Sequence, residues 1–253
     1  MVQSLPSASA AAQQKSYVTY TTPNAIVEAP KIILLEAPSL LASAGTTGFR
    51  TWEAALFLGA YLASPDGLDF VNGKDIIELG AGTGFLSILC AKHLGARFVM
   101  STDGSREVVT DIKTNLGLND LNEGNVIRNV VLPWGYALIN GVTDRREANL
   151  SFDLVIGADV TYDLKSIPAL ISTLRDLFEL YPQIKVLISA TVRNVETLAS
   201  FTKACLNNSF TLKQLDVPMR KSEEQIGFFV PTKTPISILL ITKEGPANDP
   251  FAF

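Results

Sequence analysis

From Lys74 onward the chain alternates short apolar runs with longer amphipathic stretches. "DIIELG" reads as a buried strand, and "FLSILCAKHLG" as the helix behind it, stopped by Gly95. "ARFVMSTD" predicts a second strand and "SREVVTDIKTNLGL" a second helix ending at Gly117. "NVIRNVVLPW" is a third strand and, past the polar loop "NGVTDRREANLS", "FDLVIGADV" is a fourth. "SIPALISTLRDLFELY" predicts a helix, "IKVLISATV" a fifth strand and "NVETLASFTKACLNN" another helix. The closing "FTLKQLDV" and "PISILLITKE" are strands with no helix between them.

Strands alternating with helices imply an α/β fold: a seven-stranded, mostly parallel, Rossmann-like sheet with helices on both faces. The helix-free ending makes the last two strands an antiparallel hairpin at one edge. Such a sheet binds ligands beyond the carboxyl ends of its strands, where strand order reverses.

Ahead of this domain, "YVTYTTPNAIVEAPKIILLEAP" carries β-branched pieces broken by Pro23 and Pro30, which predicts a hairpin-like N-terminal β addition. After the small-residue loop "SAGTTGFR" comes the helix "TWEAALFLGAYLAS", where Trp52, Ala55, Leu56, Gly59 and Leu62 recur at helical spacing and Pro65 closes the run. The polar stretch "MVQSLPSASAAAQQKS" predicts a disordered leader. The expected divisions are a leader over 1–16, a β extension and loop over 17–48, the main domain over 49–246 and a tail over 247–253.

Composition narrows the function. With 253 residues, 47% of them hydrophobic, the chain can bury a large core. Its net charge of −4 gives no general pull toward nucleic acid or anionic lipid. No eighteen-residue apolar span exists, and no basic segment precedes an apolar one at the N-terminus. Cys90 and Cys205 sit in apolar helical patterns without metal-spaced partners, as reduced thiols of a cytosolic protein do. The single histidine, His93, reads as a helix-end surface residue and leaves no Ser-His-Asp system and no histidine-based zinc site.

The candidate chemistry starts at Glu78-Leu79-Gly80-Ala81-Gly82-Thr83-Gly84. Glycines allow a tight turn and close approach of a ligand to backbone; the bland alternative is an ordinary strand-to-helix turn. A dinucleotide fingerprint needs a third glycine where Phe85 stands, and its pyrophosphate would not favour a carboxylate at Glu78. A ligand with an ammonium group would, and S-adenosylmethionine carries an α-ammonium, a sulfonium and no phosphate. Asp103, ending the second strand, can accept the ribose hydroxyls or cap the next helix. Trp134, ending the third, can stack on adenine or simply be core. Asp159 and Tyr162 close the fourth strand as D-x-x-Y: a carboxylate to hold and help deprotonate an incoming amine, and an aromatic wall for its cation. Their bland alternatives are a turn cap and packing.

The E-x-G-x-G-x-G spacing resembles the first motif of the seven-β-strand methyltransferases. D-x-x-Y after the fourth strand resembles their protein-lysine branch, whereas the adenine N6 enzymes carry N/D-P-P-Y/F/W there. Together, "GTTGFRTWEAALFLGAYL", "ELGAGTG", "STD", "LPW" and "GADVTYD" resemble the eukaryotic elongation factor 2 lysine methyltransferases, the fungal members especially, over roughly Ile32 to Lys243. The resemblance implies S-adenosylmethionine as cofactor and S-adenosylhomocysteine as product. It implies Trp52, Gly80, Ala81, Gly82, Asp103, Trp134 and Ala158 as cofactor-binding residues, beside Glu78 and Gly84 of the glycine turn, with Asp159 and Tyr162 catalytic and no metal. Read alone, Trp52 is an aromatic on an apolar helix face. The implied partner is a protein substrate, elongation factor 2, for a cytoplasmic monomer that engages neither nucleic acid nor membrane. Members of that family carry a longer N-terminal region than the thirty residues that precede Lys31. The alternatives are a methyltransferase for another protein lysine or a small molecule, and a non-catalytic cofactor-binding module. "DRRE" reads as a solvated charge cluster, "MRKSEEQ" as a polar connection bordering the substrate entrance, and "PANDPFAF" as a tail folding back on the sheet.

Overall fold

Seven strands of the computed structural model form one sheet in the order β5-β4-β3-β6-β7-β9-β8. The structure describes residues 13–21, 31–40, 42, 46–136, 151–228, 230–231 and 233–243. "DRRE", "PANDPFAF" and most of the leader lie outside them. The sheet strands are β3 (Asp75–Leu79), β4 (Phe98–Asp103), β5 (Ile127–Val131), β6 (Leu154–Ala158), β7 (Lys185–Thr191), β8 (Phe210–Gln214) and β9 (Ile236–Lys243). The first five are parallel; β9 runs antiparallel between β7 and β8. Strand order reverses between β3 and β6, which puts the switch point at the end of "DIIELG".

Each central strand is apolar on both sides because both sides are covered. Ile76, Leu154, Ile156 and Leu187 face one core with α1 (Glu53–Leu62), α3 (Phe85–His93) and α4 (Arg106–Leu118). Their neighbours Ile77, Leu79, Val155, Val186 and Ile188 face a second core with α5 (Ile167–Leu180) and α6 (Val195–Asn207). Cys90 and Cys205 are buried free thiols, one in each core. No helix among the described residues is long and apolar enough to cross a membrane.

The N-terminal addition is an antiparallel pair, β1 (Ser16–Thr21) and β2 (Lys31–Glu36). Its second strand lies on α4, where two asparagines one turn apart take the place of a neighbouring strand. Asn119 accepts from Ile33 N at 3.0 Å and donates to Ile33 O at 2.7 Å, and Asn115 accepts from Leu35 N at 2.8 Å. Single-atom ladders of this kind satisfy an edge that would otherwise stay unpaired.

Two punctuation residues act differently from their sequence reading. Pro65 does not close α1, which ends at Leu62; it opens the short α2 (Pro65–Leu68), where a missing N–H costs nothing. Gly117 does not stop α4, which runs on to Leu118 with Asn119 at its cap. His93 is half-buried, with a ring nitrogen 3.2 Å from Lys31 O, so it meets β2 rather than open solvent.

Candidate active site

A cavity of about 410 Å³ opens beyond the carboxyl ends of β3, β4 and β6, a volume typical of small-molecule sites. Ten of the eleven residues expected at the site line it: Trp52, Glu78, Gly80, Ala81, Gly82, Asp103, Trp134, Ala158, Asp159 and Tyr162. Gly84 does not; at φ 80° it caps α3, packed against Ile112.

Toward β4 the wall is made of backbone. Gly80 (φ 66°) and Gly82 (φ 55°) hold left-handed turns that other residues adopt at a cost. A Cβ on Gly80 would stand 2.9 Å from Val160 Cγ1 and 3.3 Å from Trp134. Asp103, the last residue of β4, accepts from Gly82 N at 3.1 Å and from Ser105 N at 2.9 Å, joining two turns at the cavity floor. The helix cap foreseen for Asp103 belongs to Ser105, which accepts from Val108 N. Burial pushes the Asp103 carboxyl up, against the pull of those N–H donors. Trp134 follows β5, and its buried indole Nε1 has no acceptor among the described residues.

Glu78 sits within β3 and points to the core that holds α3, where its carboxyl accepts from the Ser87 hydroxyl. Burial raises its pKa to about 8, so without a ligand it is mostly a neutral acid at pH 7 rather than the carboxylate the sequence implies.

Toward β6 the wall is made of side chains, among them Arg50, Trp52, Asp159 and Tyr162. Asp159 has φ 52°, a strained conformation for a residue with a side chain, and its carboxylate spans to the next strand. Oδ1 accepts from Thr191 N at 2.8 Å and Oδ2 from Thr191 Oγ1 at 3.0 Å. Burial raises the Asp159 carboxyl, and Arg193, 3.4 Å from Oδ2, partly offsets that. Arg193 also binds Glu53 at 2.7 Å, and its guanidinium lies 5.0 Å from the Trp52 ring centre, where Arg50 approaches to 4.4 Å. Trp52 caps α1 and donates Nε1 to Thr47 O at 3.0 Å, so it is a wall of the cavity as well as a packed aromatic. Tyr162 is more than half exposed at the rim.

Sequence reasoning missed Arg193 and Glu53, which pair from positions 140 apart, Arg193 reaching the lining residues Asp159 and Trp52. Only Glu53 carried a signal, as the neighbour of Trp52 in "TWEAA".

The lining chemistry tests the ligand class. Three acids, Glu78, Asp103 and Asp159, line the cavity, and among the described residues lining it Arg50 is the one basic residue. A pyrophosphate would meet acids; a ligand with cationic groups, ribose hydroxyls and a flat base fits. Among the described residues no cluster of acids, cysteines or histidines has metal-ligand geometry.

Known proteins agree with that reading. Residues 41–206 match the lysine methyltransferase family model. The chain is 44% identical over 94% of its length to protein-lysine N-methyltransferase EFM3 of Chaetomium thermophilum, and 34% identical over 85% to EFM3 of Saccharomyces cerevisiae. It is 29% identical over 67% to the human protein-lysine N-methyltransferase EEF2KMT. It spans 71%, 66% and 53% of the lengths of these relatives. Among solved structures, the methyltransferase domain of bacterial CtHen1-C matches 77% of this chain and all of its own, with a TM-score of 0.53 at 19% identity, a likeness of fold. The chain belongs to the lysine methyltransferase family, enzymes that take their methyl group from S-adenosylmethionine.

Proposed function

We propose that this chain methylates a lysine of translation elongation factor 2, as a cytoplasmic monomer, with the donor on the β4 side of the cavity and the lysine arriving on the β6 side. The observation that carries the reading is the shared cavity: donor-type residues Gly80, Asp103 and Trp134 line the same space as Asp159 and Tyr162. The name of the human relative, EEF2KMT, supports the choice of substrate.

In this reading Trp134 stacks on adenine, Asp103 accepts from the ribose hydroxyls, and the glycine turn with Glu78 receives the amino-acid end. The donor supplies a methyl group on a sulfonium, which needs only an in-line lone pair. A lysine amine has an ordinary pKa near 10.4, so it must shed a proton before it has that lone pair. Asp159 holds the arriving ammonium and offers a carboxylate oxygen for the proton. Because burial raises its pKa, it is a better base than a solvated aspartate. Tyr162, exposed at the rim, gives the lysine stem an aromatic wall.

The test is transfer of a labelled methyl group to purified elongation factor 2 and to a cell lysate. The expected result is one labelled protein, elongation factor 2, carrying the label on a lysine side-chain nitrogen. Label on a different protein overturns the substrate, and label on nucleic acid overturns the acceptor side of the site.

A further inference from the structure

Two routes of hydrogen bonds run from β2 to one residue of the glycine turn. By the first, Glu36 Oε2 accepts from Thr51 N at 2.8 Å and from Thr51 Oγ1 at 2.7 Å, and Thr51 Oγ1 lies 2.8 Å from Thr83 Oγ1. The Thr51 hydroxyl has one proton and gives it to the carboxylate, so the Thr83 hydroxyl donates to Thr51. By the second, Leu35 N donates to Asn115 Oδ1 at 2.8 Å, and Asn115 Nδ2 donates to Thr83 O at 2.9 Å. Thr83 is thus held at its hydroxyl and at its carbonyl by consecutive residues of the N-terminal hairpin. It stands between Gly82, whose N–H binds Asp103, and Gly84, which caps α3, and it lines the cavity itself.

Glu36 is poorly explained as a source of stability. It is 4% exposed, and no cation is paired with it among the described residues. A buried charge on neutral donors is usually no better for stability than an apolar residue of the same size. It is nevertheless fully employed, since Oε1 accepts from Tyr20 at 2.7 Å. Burial and the nearby carboxylate push the Tyr20 phenol up, which keeps it a donor. A residue of this kind earns its place by fixing geometry, and what it fixes is Thr51, next to Trp52, and Thr83, within the glycine turn.

We propose that Glu36 is a positioning residue for the methyl-donor pocket, acting through Thr51 and Thr83 to set the glycine turn, so that the N-terminal hairpin is part of the donor site. The proposal rests on the donor reading of the cavity. It deepens that reading by making residues far upstream of the glycine motif determine donor affinity.

Titration calorimetry with S-adenosylhomocysteine on the full chain tests it, using Thr83→Val, Thr83→Ser and Glu36→Gln. Thr83→Val removes one hydroxyl at constant shape, and Thr83→Ser keeps it. Thr83→Val and Glu36→Gln should weaken binding by about tenfold, the worth of one hydrogen bond in a chain ending on a charge. Thr83→Ser should stay close to wild type. In steady state, KM for the donor should rise more than kcat falls. If Thr83→Val and Glu36→Gln bind as wild type does while melting at lower temperature, the network is only structural and the proposal fails. If Glu36→Gln does not fold, the Thr83 pair decides alone. A wild-type chain that does not bind S-adenosylhomocysteine overturns the donor reading itself, a different outcome from variants that match a binding wild type.

Discussion

On the β4 side of the switch point the cavity wall is backbone held by buried hydrogen bonds: Gly80, Ala81 and Gly82, with Asp103 on Gly82 N and Thr83 gripped from β2. On the β6 side it is the side chains of Asp159, Tyr162 and Trp52, with Asp159 tied outside the lining to Arg193, which is 43% exposed and also pairs with Glu53. A ligand with a fixed shape suits the first kind of wall, because backbone geometry is set by the fold and does not rearrange on binding. A protein lysine has to arrive from solvent and leave again, and Asp159, paired with a half-exposed arginine, can exchange that partner for it. The β4 side thus rests on backbone hydrogen bonds, whereas Asp159 on the β6 side is tied to an ion pair.

The largest effect should come from removing the carboxylate at the mouth. Asp159→Ala should lower kcat/KM for the protein substrate by at least about a hundredfold, the usual worth of a proton-transfer group, measured by methyl incorporation. Asp159→Asn retaining most of the activity would assign Asp159 to the turn between β6 and β7 and leave the acceptor half without its base.

Next comes the backbone wall. Gly80→Ala places a side chain at φ 66° and against Val160, so it should destabilise the fold by about 1–2 kcal/mol and weaken S-adenosylhomocysteine binding more than Asp159→Ala does. A variant that binds normally would mean the turn is only a connection.

A smaller effect concerns Glu78. Its folded pKa of about 8 lies above the ordinary carboxyl value, so the stability it contributes is complete below that ordinary value and lost as pH rises through 8. A donor ammonium beside Glu78 favours the ionised form. Binding near pH 7 should therefore release close to one proton, seen as a binding heat that varies with buffer, and the release should fade above about pH 9. Glu78→Gln should abolish it. Constant heat across buffers would separate Glu78 from the ligand's amino group.

The smallest effect is at the ion pair of Arg193 with Asp159. Arg193 lowers the Asp159 pKa against the raising effect of burial and of Glu53. Arg193→Ala should therefore raise that pKa, moving the acid limb of kcat/KM to higher pH with a change of a few-fold at the optimum. An unchanged pH profile would show that Asp159 does not titrate in the reaction.

Legibility in the sequence followed the same division. "DIIELGAGTG" announced a buried strand and a glycine turn, and Asp103 and Trp134 were visible because each stands at or just past the end of a parallel strand. Asp159 and Tyr162 were visible for the same reason. What they touch was not, because Arg193 and Glu53 meet only once β7 lies beside β6 and α1 crosses above them. Glu36 was hidden further: alternation puts it on the face of Ile32 and Leu34, but a charged residue ending "KIILLE" gives no sign of the Thr51 and Tyr20 donors that let it stay buried there. Pro65 and Gly117 were read as stops because each ends helices elsewhere. Here Pro65 takes the first position of α2, and Gly117 sits inside α4 with open space where a side chain would be.

The central claim is that donor and acceptor are held by separate walls of one cavity. Titrating S-adenosylhomocysteine into wild type and Asp159→Ala side by side tests it most directly. Dissociation constants within about threefold, less than the worth of one hydrogen bond, are predicted, although the variant no longer methylates protein. A donor affinity that falls together with the transfer rate would contradict the account, because Asp159 would then belong to the donor's own wall.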